Sequence, residues 1–124
     1  MIVERHSANA LSCASGPWRI WSLADGHVDM PAALLKSPDS RTIGLPRSLT
    51  GAGAMARLSV NCFLLERAGA GGVLIDCGAG GRWEPTLGHL EAALLEAGID
   101  PASITTAALT HTHLDHINGP LTPD

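Results

Sequence analysis

The sequence predicts an α/β chain: a mixed β-sheet with one helix packed on one face. Three observations predict it. Two nearly continuous apolar runs, Leu58 to Glu66 and Val73 to Asp76, flank the glycine-rich turn Ala68–Gly72 and read as a hairpin. Leu87, Leu90, Leu94 and Ala97 then recur at helical spacing. A β-prone segment, Ile104 to Thr110, follows and ends in His111-Thr112-His113-Leu114-Asp115-His116.

Taken in order, residues 1–16 are polar, small and aperiodic, and are expected as a frayed tail. Trp18-Arg19-Ile20-Trp21-Ser22-Leu23 reads as a first strand, because aromatic and β-branched side chains favour a pleated surface. Residues 27–57 carry Pro31, Pro38, Pro46 and a Gly-Ala-Gly run at 51–53, and are expected as a long excursion with one helical turn near Ala32–Lys36. Such a segment either roofs a pocket or is an ordinary surface loop. The hairpin strands, lacking polar alternation, are expected to be buried on both faces. The helix spans about Thr86 to Ala97, with Gly98 placed to stop it. Asp100-Pro101 looks like an N-cap followed by proline at the first helical position of a short turn. Asn118-Gly119-Pro120 signals a turn after the histidine cluster.

Three imidazoles and one carboxylate within six positions are most of the donors a zinc ion takes, at about 2.0–2.2 Å. In extended backbone His111 and His113 point to the same side and can grip one ion. A turn after His113 would let Asp115 and His116 face a second position beside it. The plainer alternative is a solvated histidine-rich loop. Asp76 ends a buried strand and either orients a metal-bound imidazole or caps its own glycine-rich turn. Asp25 and His27 either line a pocket mouth or are a turn residue and a solvated histidine. His89 is expected at the surface, His6 in the tail, and Asn61 on backbone groups.

Hydrophobic content of 45% with 16% charge suits a folded domain, and 124 residues limit it to one. A net charge of −4 with scattered basic residues speaks against nucleic acid, whose phosphates need clustered Lys and Arg. No stretch reaches the roughly 20 apolar residues of a membrane span, and the N-terminus makes a poor signal peptide. Cys13, Cys62 and Cys77 form no disulfide pattern. The two in strands are expected as buried apolar thiols rather than zinc ligands. The expected location is cytoplasmic.

His111-x-His113-x-Asp115-His116, after a strand ending in Thr110, resembles the signature of the metallo-β-lactamase superfamily. Asn61-Cys62-Phe63-Leu64-Leu65-Glu66 resembles its early core strand, and Val73 to Gly80 its strand ending in Asp-x-Gly. Leu90 to Thr110 resembles the helix, turn and strand leading into the signature. Leu23-Ala24-Asp25-Gly26 followed by Pro31 looks like an element of the lactonase and organophosphate-hydrolase branch. The resemblance runs in order from about residue 18 to 120. It departs at Asn118, where glycine is commoner in the family, and in lacking the family's downstream His, bridging Asp and final His, so this chain alone is expected to lack ligands for full activity.

The resemblance therefore implies the N-terminal half, residues 17–124, of an αβ/βα sandwich whose C-terminal half is absent. It implies two metal ions per complete site, Zn²⁺ or else Mn or Fe. His111 and His113 would serve one, and Asp115 and His116 the other. Asp76 would support the site, and Asp115 would also pass a proton to the leaving group. The expected reaction is hydrolysis of a small ester, lactone or phosphotriester by hydroxide generated between the metals. Two other readings remain: a non-catalytic metal-binding half-domain that forms homo-oligomers through its open sheet face, and an iron-dependent dioxygenase relative. His113 stands where the di-iron flavoprotein branch carries Glu.

Overall fold

The computed structural model describes residues 2–35 and 51–119. Lys36, Pro38 and Pro46 of the expected excursion, and Pro120 of the expected turn, lie outside the described residues. Among the described residues, six strands form one sheet in sequence order: β1 (Val3–Arg5), β2 (Ala10–Ser15), β3 (Trp18–Pro31), β4 (Met55–Arg67), β5 (Gly72–Ile75) and β6 (Ile104–Ala108). Neighbours run antiparallel except β5 and β6, which are parallel. A parallel pair needs a crossover, and here it carries helix α1 (Leu90–Glu96). A single turn, α2 (Leu114–Ile117), follows β6. Among the described residues, no helix is long and apolar enough to cross a membrane.

The core lies between the sheet and α1. Cross-strand partners Leu23 and Cys62, then Trp21, Leu64 and Leu74, put buried side chains on one face. Ala93, Leu94 and Ile99 pack onto them from the crossover. Stopping at Gly98 is as expected, since that residue has φ +73°, where a side chain is costly. The helix is shorter than its apolar spacing suggests, because Gly88 at φ +85° breaks the backbone before His89, its N-cap. Asp100 caps the 3-10 turn Pro101–Ser103 by accepting from the Ala102 N–H at 2.9 Å, as expected.

Three expectations are corrected. Residues 3–15 are not a frayed tail but two strands, with Val3 opposite Cys13 and Ala10 opposite Leu23. Ala10 and Ser12 are buried. Small side chains give little hydrophobic periodicity, yet they fit where the sheet is pressed closely. His6 belongs to the same packing, bonding Ser12 Oγ at 2.8 Å with its ring 4.5 Å from that of Trp21. The first strand does not end at Leu23 but continues to Pro31, paired with β4. A 3-10 turn at Ala32–Leu34 then falls where a helical turn was expected.

The hairpin strands are buried on one face rather than two. On the face away from α1, Cys13, Ile20, Leu65 and Val73 form one cross-strand row, and Leu11, Ser22, Phe63 and Ile75 the next. Phe63 is 43% exposed there. Between Cys62 and Leu65 both faces of β4 are apolar, and only the neighbouring layer decides which is covered.

Candidate metal centre

The cluster is built where β6 ends and the loop after β5 folds back against it. Asp76 follows β5 with φ +59°, a left-handed conformation that Asp tolerates better than most side chains. Its amide donates to the Ala108 carbonyl at 2.9 Å, which joins the loop to the end of β6. Its carboxylate, buried, accepts the Thr110 amide at 2.8 Å and the Thr110 hydroxyl at 2.8 Å. It also meets His116 Nδ1 at 2.8 Å. Burial alone would push this carboxyl up. The Thr110 and His116 contacts outweigh it and hold the group below the usual carboxylate value.

His111, Thr112 and His113 lead from there into α2, whose N-cap is His113 with extended backbone. His111 Nε2 lies 3.0 Å from His113 Nδ1, and Thr110 Oγ1 lies 3.0 Å from His111 Nδ1. His116 Nε2 lies 3.2 Å from Asp115 Oδ2. The rings of His111 and His116 are 3.9 Å apart. All four residues singled out by the sequence are thus together. His111 and His113 face solvent, while Asp115 and His116 are half-buried.

The donors stand as two pairs. Among the described residues, no group of three or more His, Cys, Asp or Glu side chains surrounds a single point. Two atoms each about 2.0–2.2 Å from one tetrahedral zinc stand roughly 3.3–3.6 Å apart. The observed 3.0 and 3.2 Å within the pairs are shorter than that spacing, at hydrogen-bonding distance. Neutral imidazole and carboxylate are donor types zinc accepts, so the chemistry of the side chains suits the metal, while the described residues close no coordination shell around one.

Asp25 is a structural centre that sequence reading placed at a turn or pocket mouth. It is 1% exposed, on β3 beside a bulge between Ala24 and Gly26. Its carboxylate accepts N–H bonds from Ala79, Gly88 and Leu90 at 2.9–3.1 Å. A signal was there to find: Trp21, Leu23 and Asp25 share one strand parity, so the carboxylate falls on the apolar face. His27 is half-buried and its amide donates to the Thr86 carbonyl. His89 is exposed, as expected.

Cys62 and Cys77 are buried and free, as expected, whereas Cys13 is half-buried. Burial, with nearby carboxylates adding to it, pushes both buried thiols upward, Cys62 much the further. A thiol-specific chromogenic reagent should therefore react with one thiol per native chain, Cys13, and with three after denaturation. Native reactivity that survives Cys13→Ser would contradict the burial.

The mixed sheet thus presents a His/Asp cluster at the carboxyl end of a parallel strand, backed by the Asp76 loop. The family model described as the metallo-beta-lactamase superfamily matches residues 55–119, and the chain belongs to that superfamily. Among solved structures, hydrolase AbOPH of the beta lactamase superfamily is 27% identical, with a TM-score of 0.74 over 93% of this chain and 40% of that one. AidC, a dizinc quorum-quenching lactonase solved with the product N-hexanoyl-L-homoserine, is 24% identical. Its TM-score is 0.74 over 90% of this chain and 38% of that one. A probable metal-dependent hydrolase from Staphylococcus aureus is 21% identical, with a TM-score of 0.65 over 86% of this chain and 42% of that one. The chain thus spans 38–42% of the length of these structures. No curated protein matches it.

Proposed function

We propose that the chain provides the metal-binding layer of a hydrolase that cleaves small lactones or other esters, with phosphotriesters as the second substrate class. One observation carries this reading: His111 with His113, and Asp115 with His116, form two donor pairs backed by Asp76. His111 and His113 hold one ion, and Asp115 and His116 the other. Zinc is the expected metal, with manganese or iron as substitutes. Bound metal supplies a lowered pKa for water and polarises the scissile carbonyl or phosphoryl group.

The chain's own residues do the rest. Asp76 accepts from His116 Nδ1, which fixes the tautomer and leaves Nε2 free as a donor to metal. Thr110 ties the carboxylate of Asp76 to the strand end and touches His111 Nδ1. Asp115 Oδ2 stands at the half-buried edge of the cluster, where it can take a proton from the attacking water and pass it to a departing alcohol. The three free cysteines suit the reducing cytoplasm.

The open apolar face with Phe63 supports a second reading, a non-catalytic half-domain that pairs with another copy. An iron-dependent dioxygenase relative is the third. Native mass spectrometry with added zinc separates them, because mass and metal count are read together. The expected result is stoichiometric zinc that His111→Ala/His113→Ala largely removes, with at most weak lactone turnover in the zinc-loaded form. Zinc uptake by dimers without turnover would favour the half-domain. Oxygen consumption by the iron-loaded form without lactone turnover would favour the dioxygenase. No uptake of zinc, manganese or iron at stoichiometric concentration would sink all metal roles for the cluster.

A further inference from the structure

We propose that Asp25 is a positioning residue for the metal-binding cluster, acting through the loop 76–80; the inference rests on the metal role given above. A buried carboxylate on an apolar sheet face is costly unless fully bonded. Among the described residues, no cation pairs with Asp25. Three backbone amides satisfy it instead: Ala79 and Gly88 on Oδ2 at 2.9 and 3.1 Å, and Leu90 on Oδ1 at 3.1 Å. Its own carbonyl accepts the His89 amide at 3.0 Å. One side chain therefore fixes two separate segments, the loop after β5 and the entry to α1, against β3.

The loop is gripped from its other side by the cluster. The Cys77 amide donates to the His116 carbonyl at 2.8 Å, and the Gly78 carbonyl accepts the Asn118 and Gly119 amides at 3.1 and 3.2 Å. Packing leaves no slack. A Cβ on Gly78 would sit 2.4 Å from Asp25 Oδ1, and one on Gly80 would sit 2.7 Å from the Asn118 carbonyl oxygen. Asp76, three residues before Ala79, bonds His116 Nδ1. A shift of Ala79 is therefore transmitted both to the carboxylate that orients His116 and to the backbone that carries it. An apolar side chain at position 25 would fill the face equally well, but it would leave that loop without its fixed point.

The test compares Asp25→Asn and Asp25→Ala with Leu94→Ala, a core truncation of α1 that breaks none of these bonds. Zinc affinity and the absorption spectrum of the cobalt-loaded chain are read alongside Tm. Asp25→Asn, which keeps one acceptor oxygen, is expected to weaken zinc about tenfold, the low end for loss of a supporting group, and Asp25→Ala more. The cobalt spectrum should change in both and stay parental in Leu94→Ala. Equal weakening in Leu94→Ala at matched Tm loss would overturn the proposal. If Asp25→Ala does not fold, Asp25→Asn carries the comparison. If the parent takes up no zinc, the metal reading falls separately, and amide exchange in the metal-free chain decides on Asp25. Protection lost selectively at Cys77, Thr110 and Asn118 supports the positioning role, and uniform loss overturns it.

Discussion

Gly26→Ala is expected to destabilise the chain by more than about 4 kcal/mol, beyond the range of most single substitutions. Gly26 sits at the β3 bulge with φ +136°, and an added Cβ would lie 1.9 Å from the Thr86 carbonyl oxygen and 3.0 Å from Leu87 Cα. These are backbone atoms, so no side-chain rotation relieves the collision. The same carbonyl accepts the His27 amide at 3.0 Å, and the Thr86 hydroxyl donates to the His27 carbonyl at 2.7 Å. Moving the segments apart therefore breaks bonds that close the sheet over the entry to α1. Gly16→Ala provides the comparison. Gly16 also has a positive φ, +57°, but an added Cβ meets nothing within 4 Å. It should cost only the roughly 1–2 kcal/mol of a left-handed alanine. In thermal unfolding, Gly26→Ala should lower Tm by roughly 15 °C or more. Equal shifts in the two variants would mean that β3 is not held against the Thr86 segment in solution.

Asp76→Ala is expected to weaken zinc about 10–100-fold, as loss of a group behind a metal ligand commonly does. The Thr110 amide, the Thr110 hydroxyl and His116 Nδ1 would all lose their acceptor. Hydrogen bonds to a charged group are worth about 1.5–3 kcal/mol each when removed from one side. Asp76→Asn should fall between the parent and Asp76→Ala, because Asn keeps one acceptor and tolerates φ +59°. Competition with a zinc-binding dye measures the affinities, and ¹⁵N shifts of His116 report its tautomer. Unchanged affinity together with an unchanged His116 tautomer would reduce Asp76 to a turn residue.

Much of the fold was legible because it depends on local spacing. Leu90, Leu94 and Ala97 recur at a helical interval whatever surrounds them, and Gly98 stops the helix by its own conformational freedom. The hairpin across Ala68–Gly72 needs only two apolar runs and a turn. His111, His113, Asp115 and His116 lie within six residues, so one strand end and one turn bring them together. The first strands were hidden for the opposite reason. Ala10 and Ser12 gain their burial from Trp21, Leu23 and α1, none of them a near neighbour in sequence.

Chain order and side-chain chemistry were therefore enough to place the His/Asp cluster, the helix and the superfamily. Only the tertiary structure decided which face of β4 is covered, that residues 3–15 extend the sheet, and that Asp25 lies at its centre. A hydrophobic run records how much apolar surface a strand offers, not which neighbour arrives to cover it. A carboxylate records that it needs donors, but those of Asp25 lie 54 to 65 residues away, at Ala79, Gly88 and Leu90. Such partners meet only when β3, the loop after β5 and the entry to α1 are folded against one another.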